Sequence, residues 1–114
     1  MTDHKAHEMR LHPDPFEMIR NGSKTVEVRL NDEKRQLIQI GETIEFSLRP
    51  EPTERFAVEV VGLDTFKSFK DAYSAYPPTE YGGKDKEEWK LMYKYYTPEE
   101  EAKYGVLGIR LRKI

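Results

Sequence analysis

Two alternating stretches in the middle of the chain are separated only by a short segment that carries Pro50 and Pro52. In the first, Ile44, Phe46 and Leu48 share one face; in the second, Phe56, Val58 and Val60 do. A parallel crossover needs a dozen or more residues, so these two strands are expected to pair antiparallel. That constraint disfavours a doubly wound α/β sheet and points to an architecture built outward from one hairpin.

The flanking segments add strands on one side and helices on the other. Met9 and Leu11 alternate with Arg10 and His12, a short strand signal. Asp14-Pro15-Phe16-Glu17 opens a helix, with Asp14 as N-cap, Pro15 first in the helix and Glu17 in the capping-box position. Phe16 and Ile19 would face the core, and Gly22 ends the helix. Val26, Val28 and Leu30 then alternate with Glu27 and Arg29, and a polar loop runs from Asn31 to Arg35. The strand through Val60 is expected to end at Gly62.

The second half turns helical. Phe66, Phe69 and Tyr73 have helical spacing, stopped by Pro77-Pro78. Tyr81-Gly82-Gly83 reads as a mobile loop. Asp85 with Glu88 starts another helix, along which Trp89, Met92, Tyr93 and Tyr96 form one stripe. Thr97-Pro98-Glu99-Glu100 is a capping box for a short helix that Gly105 closes. Val106 to Lys113 is a final strand, with Leu107, Ile109 and Leu111 on one face and Arg110 and Arg112 on the other. The sum is an α+β fold: a small β-barrel of about five to six strands with flanking helices.

With 114 residues there is room for one core. Residues 1–7 are polar and read as a flexible N-terminus, leaving 8–114 as the domain. The chain has no cysteine, which excludes disulfides and thiol chemistry. No apolar run approaches the roughly 20 residues that cross a bilayer, and nothing at the N-terminus resembles a signal peptide. A cytoplasmic domain with no membrane partner is the expectation. The net charge of −2 argues against coating nucleic acid by bulk charge, so any such binding needs a local basic patch.

The segment Gly22 to Arg29 is the strongest candidate for function. On a regular strand Glu27 and Arg29 share the face opposite Val26 and Val28. Lys24 falls just after the glycine turn and joins them if the strand begins irregularly. The three would offer a cation, a carboxylate and a planar guanidinium. The same spacing also describes an ordinary exposed strand face with a weak ion pair. His4, His7 and His12 lack metal-site spacing and read as surface residues, so neither metal nor cofactor is expected. The Trp89–Tyr96 stripe reads as core packing, whereas Tyr81, Tyr95 and Tyr104 lie off it and could line a cleft. Ser23 and Thr25 have no visible base to activate them.

Gly22-x-Lys24-x-x-Glu27-x-Arg29 resembles the G-x-K-x-x-E-x-R signature of the ASCH domain, a PUA-like family. Phe16 to Ile19 resembles the helix before that signature, and Gly41-Glu42-Thr43-Ile44-Glu45-Phe46 resembles its following strand. Tyr95 to Glu101, with Tyr104-Gly105-Val106, is similar to the C-terminal segment of bacterial members, so the likeness runs from about Glu8 to Arg112. The resemblance implies a PUA-like barrel with a cleft where Lys24, Glu27 and Arg29 meet. It also implies RNA or a nucleotide-like small molecule as ligand. Lys24 and Arg29 would contact phosphate or a base edge, Glu27 would accept a hydrogen bond, and Tyr81 would stack on the base. Arg10, Arg110 and Arg112 would extend the positive surface if their strands adjoin the cleft.

Some bacterial relatives hydrolyse the amide of N4-acetylcytidine, and ribonuclease activity is attributed to others. The alternative is therefore a hydrolase with Lys24 and Glu27 catalytic, Glu27 acting as general base. The amidohydrolase branch has a threonine nucleophile where this chain has Glu27, and Thr25 is out of register to replace it. Its distal carboxylate would fall near Glu80. A binding module is the preferred expectation.

Overall fold

A computed structural model describes residues 6–114. Its strands are β1 (Ala6–Leu11), β2 (Val26–Leu30), β3 (Thr43–Leu48), β4 (Arg55–Phe66) and β5 (Val106–Lys113). The helices are α1 (Pro13–Arg20), α2 (Phe69–Ala75), α3 (Pro78–Tyr81) and α4 (Pro98–Tyr104), with 3-10 helices at Arg35–Leu37 and Lys86–Lys94. Residues 1–5, including His4 and most of the expected N-terminal tail, lie outside the described residues, and β1 already takes in Ala6 and His7.

The expected hairpin is present. β3 and β4 pair antiparallel, with Ile44 opposite Val58 and Phe46 opposite Phe56. The sheet order is β1-β3-β4-β5-β2, and only the β1–β3 pair is parallel. This α+β sheet curls into a half-barrel. Ile44, Phe46, Val58 and Val60 fill the curl with Leu107, Ile109 and Leu111 of β5, and Phe16 and Ile19 of α1 pack against them. A second core forms on the other face, where Val26, Val28 and Leu30 meet Phe69, Tyr73 and Tyr76. Hydrophobic burial thus clamps β2 from the side opposite Glu27 and Arg29.

Several boundaries differ from expectation. α1 starts at Pro13 with His12 as cap, so Asp14 sits inside the first turn rather than capping it. Either proline satisfies the first helical position, which is why the earlier one was missed. β4 does not stop at Gly62. Its register against β5 shifts between Val60 and Gly62, a bulge that leaves Val61 exposed and lets the strand continue to Phe66. A Cβ at position 62 would lie 2.9 Å from Cδ of Arg110, so the glycine marks a close approach, not an end. Phe66 therefore belongs to the strand, and α2 begins after Ser68, whose hydroxyl accepts from the Asp71 amide.

The Asp85–Glu88 capping box is present but opens a 3-10 helix of nine residues. Tyr81-Gly82-Gly83 is not an open loop: Tyr81 is buried at the end of α3, which Gly82 closes in a left-handed conformation. The Thr97 capping box, the α4 helix and the β5 strand match their expected positions.

Candidate functional site

β1 and β2 are the two edges of the half-barrel, and a side chain bridges the seam between them. Arg29 on β2 donates from an Nη to the backbone carbonyl of Arg10 on β1 at 3.0 Å. Across the β2–β5 ladder Glu27 lies opposite Ile109 and Arg29 opposite Leu107, so both point to the interior side of the curl. This is not an exposed strand face: Glu27 is only 5% exposed.

Both oxygens of Glu27 are engaged. Oε1 lies 2.8 Å from Lys24 Nζ, and Oε2 accepts from Arg29 Nε at 2.7 Å. Lys24 precedes β2, where its amide is tied to the Met18 carbonyl, and this irregular start lets it join the pair. The Lys24 side chain also packs closely against Gly82: a Cβ there would stand 3.0 Å from Lys24 Cδ. Burial opposes the charged carboxylate, but Lys24 and then Arg29 overcome it and hold the Glu27 pKa at about 2. Burial also opposes the Arg29 guanidinium, yet Glu27 and then Tyr96 keep it above its ordinary value.

These residues floor a cleft of about 580 Å³. Arg10, Arg49 and Lys94 bring three further cations to its wall, against Glu27 as the single carboxylate. None of the three has a carboxylate partner among the described residues. Tyr73, Tyr81, Tyr95 and Tyr96 supply the aromatic surface. Tyr81 stacks obliquely on Tyr73, with ring centroids 4.5 Å apart, and donates its hydroxyl to the Asp85 carbonyl at 2.9 Å. Tyr95 is 59% exposed at the mouth, with His12 beside it. The Tyr73 hydroxyl is pushed up, by burial first and the Glu27 charge next, so it stays a neutral donor.

The ASCH domain family matches residues 9–114. The chain belongs to the ASCH domain family. The hypothetical protein PH0355 shares 34% identity over 96% of this chain and all of its own, with a TM-score of 0.84. Protein PF0455 from Pyrococcus furiosus is 29% identical over 95% of this chain and 96% of its own, with a TM-score of 0.71. The ASCH protein of Zymomonas mobilis is 20% identical and shares the fold, with a TM-score of 0.71 over 97% of this chain and 69% of its own. No curated protein is significantly similar. The half-barrel is therefore PUA-like, as the resemblance implied.

Not every expected residue reaches the cleft of this ASCH domain. Glu80 points away, 3.6 Å from Arg110, and offers only its backbone carbonyl to the Thr25 amide. Arg110 pairs with Asp64 at 3.1 Å and Arg112 pairs with Glu59, so neither extends the basic surface. Of the three arginines proposed to do so, Arg10 alone adjoins the cleft. Ser23 and Thr25 are outside its lining, and Tyr104 is turned toward Glu33. His7 is not a surface residue; it is largely buried and 2.8 Å from Glu42. Among the described residues no cluster of three or more His, Asp or Glu could hold a metal. No helix among them is long and apolar enough to cross a membrane.

Arg49, Lys94, Tyr73 and Tyr96 were missed by sequence reasoning. Tyr73 and Tyr96 sit on stripes that also pack the second core, and that signal masked their inner edges. Arg49 arrives through tertiary placement alone, where its amide donates to the Leu11 carbonyl at 2.8 Å.

Proposed function

We propose that this ASCH domain binds RNA, or a nucleotide unit of it, in the seam cleft. The observation that carries this reading is the composition of that one concavity. Five cations, four tyrosines and a single carboxylate converge in a protein whose net charge is −2. Cations beside aromatic faces are what a phosphate and an unstacked base together require. Lys24 and Arg29 contact phosphate or a base edge with the donors that Glu27 leaves free. Glu27 holds both cations in place, and its unused lone pairs accept from an exocyclic amine or a ribose hydroxyl. Tyr95 at the open mouth and the partly exposed Tyr96 offer faces to the base, while Tyr81, expected from sequence to stack on it, backs the wall with Tyr73.

The hydrolase alternative receives less support. A carboxylate held at about pKa 2 by two cations is a weak proton acceptor at neutral pH, and Glu80 lies outside the cleft. Incubation with N4-acetylcytidine is expected to leave it intact.

Fluorescence anisotropy with labelled single-stranded RNA tests the reading. Binding should weaken with salt, by about 0.7 in log–log slope per contacted phosphate. Lys24→Ala should lower affinity roughly tenfold, about 1.4 kcal/mol. A slope near zero together with an unaffected Lys24→Ala variant would sink it.

A further inference from the structure

The seam cleft has a neighbour. A second cleft of about 370 Å³ runs along β1 and β3 and shares Arg10, Arg29 and Arg49 with the first. These three arginines form the ridge between the two. Beyond the ridge the second cleft adds Lys34, Arg35 and Arg55, while its only carboxylates are Glu8 and Glu45. It has no aromatic residue in its wall. The chemistry thus divides at the ridge, with base-sized aromatic surface on one side and cationic surface without rings on the other.

We propose that the second cleft is a backbone track, so that the ligand is a single strand of several nucleotides rather than a mononucleotide. This rests on the nucleic-acid reading of the first cleft. One nucleotide occupies the tyrosine-lined side, and the phosphates of its neighbours pass over Arg10 and Arg49 toward Lys34. Phosphate contacts of this kind position a strand without reading its sequence. Lys34, Arg10 and Arg49 have no carboxylate partner among the described residues, whereas Arg35 is held by Asp32 at 3.0 Å. Arg55 spends one Nη on Glu45 at 3.0 Å and keeps its other donors.

The register supports the length. Glu8 lies opposite Glu45 and Arg10 opposite Ser47, so the lining from Glu45 to Arg49 covers about 13 Å of strand. That distance accommodates roughly three to four stacked nucleotides. A nucleoside triphosphate offers the same charge in a shorter chain, so length separates the two ligands.

The experiment compares cytidine monophosphate, cytidine triphosphate and single-stranded RNAs of two, four and eight nucleotides on the wild type, Lys34→Ala, Arg55→Ala and Lys34→Glu. Circular dichroism and thermal melts establish that each variant is folded. Wild-type affinity should rise at least tenfold from the monophosphate to the tetranucleotide and then level off. The variants should lose most of that gain, with the salt slope falling by about 0.7 for each alanine substitution and further for Lys34→Glu. If oligomers bind with no gain from length, or folded variants bind them like wild type, the track is wrong while the first cleft survives. Equal affinity for the triphosphate and the tetranucleotide, with the same dependence on Lys34, would assign the second cleft to a polyphosphate and overturn the strand. If no RNA of any length binds, both readings fall.

Discussion

Glu27 has a cation on each carboxylate oxygen and almost no contact with water. Glu27→Gln would leave Lys24 and Arg29 side by side and uncompensated. Removing one member of such a buried group typically costs about 3–5 kcal/mol, and urea unfolding should show a loss of that order. The pH dependence has a definite sign. Glu27 titrates at about 2 in the folded protein and near 4.3 unfolded. Its contribution is complete above the unfolded value and is lost as pH falls through the folded one. Stability should therefore decline from about pH 4.5 to 2, by roughly 3 kcal/mol from this group, and Glu27→Gln should flatten that part of the profile. Gly108 is a second sensitive position. A Cβ there would lie 2.1 Å from the Tyr76 hydroxyl, which donates to Asp64 at 2.5 Å. Gly108→Ala should cost about 1–3 kcal/mol in thermal melts.

Elements whose ends are fixed by local chemistry were readable from sequence. The Thr97–Glu100 box satisfies helix amides reciprocally through residues three apart, and Thr97→Ala should destabilise by about 1 kcal/mol in urea titrations. Alternation likewise placed β2, β3 and β5. Elements shaped by distant partners were not readable. Gly62 looks like a strand end until Arg110 is known to lie against it. The segment after Asp85 carries a helical stripe, but the length and 3-10 form of its helix depend on packing. Lys86–Lys94 has no buried residue, and 3-10 geometry gives poorer hydrogen bonds. Its amides should exchange with deuterium faster than those of β4 and β5. Because Met92 and Lys94 reach the cleft wall, that exchange should slow when RNA is bound.

Across the whole molecule the candidate site draws on positions from Arg10 to Tyr96, brought together because the sheet curls far enough for its two edges to meet. The signature between Gly22 and Arg29 exposed the cleft floor in the sequence. The remaining cations and rings came from separate segments, and no spacing rule joins them. Sequence also could not show that the face carrying Glu27 turns inward, since parity defines two faces without saying which one a curled sheet encloses. Among the described residues Arg29 reaches across that enclosure to the Arg10 carbonyl. A barrel closed by backbone ladders has its circumference set by strand number and stagger. Here the last step of the circumference is an arginine side chain that ties β2 to β1. A shorter or uncharged side chain at position 29 would take away both that tie and one of the two cations on Glu27.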